Sequence, residues 1–232
     1  MRKQKKFCVI GLGYFGINLA TILSKEGAEI LVIDINPERV DMISEVVTHA
    51  VCMDSTDERA LKSMGLSEMD AVIVAIGEHF ESSITTTALL QEIGVKKIYS
   101  RIISPVHERL LRLMGIAEML MPEAEAASHL ASRLMLEGIT GSFEIANDFG
   151  IFEVPVPQSF IGNTIIDTNM RENYNLNIVT IKRVNEAGFN NMIHRDDVTV
   201  VGVPSPHSIL EEGDILVVFG KEKDVKYLLE LK

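Results

Sequence analysis

Tryptophan is absent from the 232 residues, and there are only two cysteines, Cys8 and Cys52. Two thiols in a chain of this size do not make a disulfide framework, which points to a reducing cytoplasm. Both lie in apolar runs (FCVIG and AVCM), so both are expected to be buried. Long hydrophobic runs are missing as well. The longest uninterrupted aliphatic stretch, Ala71–Ile76, falls far below the ~18 residues of a spanning helix. Arg2, Lys3, Lys5 and Lys6 precede the apolar stretch Phe7–Leu23, but three glycines and Asn18 inside it argue against a signal peptide. Positive charge is in deficit. Lys+Arg come to 22 and Asp+Glu to 33, a net charge of −11 with a pI near 5.0. Such a balance repels polyanions and excludes a general binder of nucleic acid or anionic membrane, while leaving room for local basic patches. Enzyme signatures are lacking too. The six histidines are scattered without metal-ligand spacing, and there is no serine elbow or Cys–His cluster. Glu78 and His79 could serve as an acid–base pair, but adjacent loop residues of these types are more often solvated.

What is present is a core. The chain is 47% hydrophobic with a mean hydropathy of +0.19, which suits one large domain or two small ones at roughly 100–200 residues each. Through the first half, short apolar runs alternate with longer amphipathic ones. Phe7–Ile10, Glu29–Asp34, His49–Cys52, Ala71–Ile76 and Lys97–Ile102 read as strands. Phe15–Lys25, Pro37–Glu45, Asp57–Met64 and Ser82–Ile93 have helical lengths and spacings. Pro37 falls in a first helical turn after Asn36, a good cap, and Thr56 or Asp57 can cap the third helix. This alternation predicts a doubly wound parallel sheet of Rossmann-like α/β type. After Pro122 the texture changes. Glu123–Glu137 reads as a long helix rich in Ala and Ser, ended by Gly138. From Ser142 onward strands and turns dominate, with turns at Glu186-Ala187-Gly188 and Glu211–Asp214 and a closing helix over Glu222–Leu231. The predicted organisation is a nucleotide-binding domain with its linking helix over residues 1–140 and a smaller α+β domain over 141–232. The apolar residues on the outer face of Ser82–Ile93 and on Glu123–Glu137 exceed what a monomer should expose, so an oligomer is expected.

The sharpest motif is Gly11-Leu12-Gly13-Tyr14-Phe15-Gly16, directly after the first strand and opening a helix. A strand must turn sharply at Gly11, a phosphate must approach the backbone at Gly13, and the helix must pack tightly on the sheet at Gly16. Asp34 ends the second strand, where ribose hydroxyls need a carboxylate acceptor. The same carboxylate would repel a 2′-phosphate, which makes NADP the least suitable dinucleotide. Arg39 is placed either to contact adenine or phosphate or simply to be solvated. Asp54-Ser55-Thr56, Ile76-Gly77-Glu78 and Arg101 end further strands at the same carboxyl edge, where open α/β sheets bind ligands.

The segments FCVIGLGYFG, VIDIN, HAVCMDSTDE, DAVIVAIG and LEEGDILVVFG, in this order, resemble the RCK family, the regulators of potassium conductance of the Trk/Ktr type. The resemblance implies an RCK N-domain followed by an RCK C-domain. It further implies a cytosolic gating subunit, peripheral at the inner face of the membrane. Its homodimers assemble into octameric rings under a separate potassium-translocating membrane protein. ATP, ADP, NAD or NADH would bind the N-domain through Gly11, Gly13, Tyr14, Phe15 and Gly16 at the phosphates. Asp34 would hold the ribose with Ile35 and Arg39 beside it. Asp54, Ser55 and Thr56 would lie near adenine, and Ile76, Gly77, Glu78 and Arg101 would line the far wall. Glu123 matches a family glutamate that helps hold a divalent cation between two nucleotides at the dimer interface in some members, although an acid in the first turn of a helix after Pro122 is also favoured by the helix dipole alone. Ile165, Asn169, Met170, Arg171 and Asn177 match a segment that binds cyclic di-AMP in some Ktr-type members, although a plain helix-turn-strand reading also accounts for it. Many ATP-responding members carry arginine where this chain has Tyr14, which keeps a dinucleotide in play. The fingerprint itself is shared with small NAD-dependent oxidoreductases, the rival reading.

Overall fold

The structure, a computed structural model, describes residues 4–135, 138–146, 148–184 and 198–230. The chain divides into two units, Met1–Ala124 and Glu125–Lys232. The division falls near the start of α6 (Pro122–Met135), the long Ala-rich helix, whereas the change of sequence texture puts it near residue 140.

The first unit runs β1 (Lys6–Ile10), α1 (Tyr14–Lys25), β2 (Glu29–Asp34), α2 (Pro37–Ile43), β3 (His49–Cys52), α3 (Glu58–Lys62), β4 (Ala71–Val74), α4 (Phe80–Ile93), β5 (Ile98–Arg101), α5 (Pro105–Leu113) and β6 (Glu118–Leu120) before α6 begins. All neighbouring strands pair in parallel, in the order β3-β2-β1-β4-β5-β6. Strand side chains alternate between two separate cores. Cys8, Ile10, Leu31, Ile33, Val72 and Val74 join α3, α4 and α5 residues on one face. Val9, Ile30, Val32 and Ile73 join α1 and α2 on the other. A parallel sheet covered on both faces explains why these strands read as unbroken apolar runs. Local chemistry sets the helix starts. The Asn36 side chain accepts the N–H groups of Glu38 and Arg39 ahead of Pro37, and Asp57 accepts those of Arg59 and Ala60.

Two expectations need correction. Cys8 is fully buried, and burial pushes its thiol pKa up. Cys52 is exposed, because it ends an edge strand with a neighbour on one side only. The apolar residues of α4 are not an outer face either: Ile84, Leu89 and Ile93 pack against the core.

The second unit is an antiparallel sheet in the order β10-β9-β11-β8-β7, with β7 (Gly141–Ala146), β8 (Phe149–Pro155), β9 (Asn177–Val184), β10 (Val198–Val200) and β11 (Ile215–Lys221). α7 (Met170–Tyr174) and α8 (Glu222–Leu229) contribute Met170, Val225 and Leu228 to its core beside Phe152, Val154, Ile181, Leu216 and Val218. The turn over Glu211–Asp214 is present, with Gly213 at φ +84°. The turn expected at Glu186-Ala187-Gly188 lies outside the described residues. Among the described residues no helix is long and apolar enough to cross a membrane.

Candidate functional site

The strand order reverses its winding between β1 and β4, and open α/β sheets place ligands in the crevice outside the carboxyl ends at such a point. The glycine loop fills that place. Gly11 has φ +97°, and a Cβ there would come within 2.9 Å of the Ile76 backbone nitrogen. Only glycine fits both constraints. A Cβ on Gly16 would run into the Gly11 carbonyl oxygen, so the helix start is pressed against the loop that precedes it. Gly13 is the contrast, with no atom within 4 Å of where its Cβ would stand. It is the N-cap of α1, which has no side-chain cap and no acidic residue in its first turn. The amide N–H groups of that turn therefore face an open approach, the arrangement that receives an anion. Tyr14 is 91% exposed beside it, while Phe15 packs into the core between sheet and helices.

Asp34 is only 8% exposed. The Leu12 N–H donates to its Oδ2 at 2.5 Å and the Asn36 N–H to its Oδ1 at 2.8 Å. Its carboxylate thus ties the glycine loop to the β2–α2 connection. A carboxylate has about four lone-pair directions, so each oxygen retains one for a further donor. Ile35 is exposed next to it, and the Cys52 thiol donates to the Ile35 carbonyl at 3.5 Å. Arg39 is half-buried in the first turn of α2.

The β3–α3 loop is more internally committed than its composition suggests. Asp54 Oδ1 accepts from the Thr56 hydroxyl at 2.7 Å and its N–H at 2.8 Å, and these bonds hold the carboxyl below its ordinary range. Ser55 is buried, its hydroxyl 2.8 Å from that of Thr86 on α4, so it fastens this loop to α4. Glu78 and His79 are both exposed.

The far wall is a real cluster. The Arg101 guanidinium lies against the Gly77 backbone, where any side chain would collide with it, and its Nη2 donates to Glu123. Gly77, Arg101 and Glu123 are therefore brought together at the carboxyl ends of β4 and β5. The Glu123 carboxylate is thus engaged by a guanidinium. Among the described residues no group of three His, Cys, Asp or Glu side chains is placed to hold a metal ion. Sequence reasoning missed His107 and Phe80, whose rings meet edge to face with centroids 5.4 Å apart at the starts of α5 and α4. The pair Ser104-Pro105, a cap followed by a first-turn proline, was the available signal for α5.

In the second unit Arg171 Nε donates to Asn177 Oδ1 at 2.8 Å, so these two candidates meet. Asn169 sits at φ +46°, Met170 is buried in the core, and Ile165 packs against that core. A cavity of about 270 Å³, lined by Leu31, Val51, Met64 and Met69 with Glu29 and His49, opens near the amino ends of β2 and β3. It is apolar and away from the crevice, so it takes no part in the site.

The chain matches the TrkA-N domain over residues 7–122 and the TrkA-C domain over residues 150–232. It is 35% identical to Ktr system potassium uptake protein C of Bacillus subtilis, over 96% of this chain and 95% of that one. It is 33% identical to Ktr system potassium uptake protein A of the same organism, over 97% and 95%. Among solved structures, the GsuK channel bound to NAD superposes with a TM-score of 0.61 at 19% identity, over 99% of this chain and 40% of that one. That likeness concerns the fold, and this chain spans well under half the length of that channel chain.

Proposed function

Because the chain belongs to the RCK family of the Trk/Ktr type, we propose that it is the regulatory subunit of a potassium uptake system and takes an adenine nucleotide in the crevice at Gly11–Gly16. The observation that carries the nucleotide half is the start of α1: an uncapped helix with no acid in its first turn, opening on free space at Gly13. Phosphate would meet the first-turn N–H groups and the positive end of the helix. Asp34 would offer its remaining lone pairs to a ribose, and Arg101 would supply positive charge from the far wall. The relatives named as potassium uptake proteins, matched over nearly their full length, support a separate potassium-translocating membrane protein as partner. Leu130 and Leu134, one turn apart on α6, are 53% and 72% exposed, which supports the homodimer and ring through which such a subunit acts.

The test is a denaturation series with ADP, ATP and NAD, followed by co-purification with a potassium-translocating membrane protein. Saturation at 100 times Kd should add about 2.7 kcal/mol of apparent stability, with no hydride turned over. Light scattering should give a mass well above the 25.7 kDa chain. Rapid NADH oxidation with a common carbonyl substrate would favour the oxidoreductase reading and sink this one.

A further inference from the structure

Glu123 is paired with Arg101. We infer that Glu123 is the counter-ion of Arg101, an internal anion that a nucleotide phosphate must displace. The inference rests on the nucleotide reading of the crevice and deepens it.

The two partners are unequally anchored. Arg101 ends β5, its side chain is only 18% exposed, and its guanidinium is held against the Gly77 backbone. Glu123 stands in the first turn of α6 with a side chain 65% exposed. The arginine is therefore the fixed element of the wall, and the glutamate is the arm that can leave. Arg101 Nη2 donates to Glu123 Oε1, while Nε is buried with no acceptor from the protein. A guanidinium carries five donors and no acceptor, so one carboxylate oxygen leaves most of its capacity unused. A phosphate offers several oxygens to the same fork and can engage it bidentately. Phosphate and Glu123 cannot both hold Nη2 in the same direction.

Release of Glu123 is not costly at its own end. A carboxylate in the first turn of a helix is favoured by the helix dipole and, being exposed, is hydrated when it swings away. The exchange thus replaces a solvent-screened ion pair with a phosphate contact. In a chain of net charge −11 it also removes one anion from the path of another. Glu123 then lowers affinity for phosphorylated ligands and leaves binding of an uncharged nucleoside alone.

Calorimetric titration of the full chain in EDTA, with ADP and adenosine as probes, decides the matter. Glu123→Gln should tighten ADP by about threefold, the scale of a partly exposed ion pair, and leave adenosine unchanged. Arg101→Gln should weaken ADP, and in that background Glu123→Gln should bring no gain. Unchanged or weaker ADP binding by Glu123→Gln overturns the inference, and so does an equal gain without Arg101. If Mg²⁺ tightens ADP in the natural chain but not in Glu123→Gln, Glu123 is a cation ligand and the inference is wrong. Absence of binding of both probes by the natural chain overturns the nucleotide reading itself, and this inference with it. Adenosine guards against a merely structural effect, because a distorted crevice would shift both probes.

Discussion

In the amino-terminal unit the central strands send alternate side chains into two cores, Cys8 and Ile10 to one and Val9 to the other. In the carboxyl-terminal unit the described core lies on one face of the sheet, while Phe143, Ile145, Phe149 and Phe219 on the strands remain 67%, 53%, 37% and 36% exposed. A parallel sheet covered on both sides has no free face, so its strand ends are where a ligand can be met. An antiparallel sheet with one solvated face normally makes that face polar, and this one keeps it largely apolar. The polar devices differ accordingly. The first unit uses backbone N–H groups, held by Asp34 and left open at Gly13. The second uses a buried carboxylate: Asp214, fully buried, accepts from the half-exposed Arg183 at 2.9 and 3.0 Å and from the Glu211 N–H at 2.9 Å.

The largest effect that breaks this contrast is expected from Gly16→Val. A Cβ at that position collides with the Gly11 carbonyl oxygen, so the loop must move and the first turn of α1 with it. Overpacking of this kind costs about 1–3 kcal/mol, and the ~2.7 kcal/mol gained from saturating ADP should vanish as well. Unfolding followed with and without ADP measures both. A variant that keeps the full ADP response would place the ligand elsewhere.

Asp214→Ala should come next and act on the other unit. It strips the acceptor from three donors at once, yet Arg183 is 38% exposed and retains Glu211 at 2.9 Å. The loss should therefore be about 2–3 kcal/mol, below that of a fully buried pair. Denaturant unfolding should show the loss with the ADP response intact. If the ADP response falls with it, the two units do not divide their roles as described.

Much of the first unit was legible because one physical cause wrote it into local sequence. Strands buried on both faces are continuous apolar runs, and Asn36-Pro37 and Asp57 announce the helices that follow. What escaped depends on register between distant segments. That Asp34 meets the Leu12 N–H follows from Ile10 pairing with Ile33, and no single stretch records it. That Arg101 meets Glu123 requires β5, β6 and α6 in their places, 22 residues apart in the chain. Ser55 reads as a loop residue and turns out to be held by Thr86 of α4, 31 positions away. Cys52 reads as buried because AVCM is apolar, whereas its exposure comes from the position of β3 at the sheet edge.

The smallest expected effect sharpens the contrast through pH. His107 is fully buried in the first turn of α5, with its ring against Phe80. Its Nδ1 accepts the Ile103 N–H at 3.4 Å, and its Nε2 is buried with no partner from the protein. The neutral ring suits this place and the imidazolium does not, so burial lowers its pKa below the usual 6.5. The folded state then binds fewer protons than the unfolded state once the pH drops below about 6.5, and stability falls as acid is added. One proton sets the limit at about 1.4 kcal/mol between pH 6.5 and 5.5. Asp54 and Asp167, whose pKa values are lowered by bonds from Thr56 and Thr164, lose their contribution only in stronger acid, below their ordinary 3.8. Unfolding of the first unit should therefore weaken between pH 7.5 and 5.5, and His107→Gln should abolish the slope. A slope that survives in His107→Gln would show that another group carries the proton.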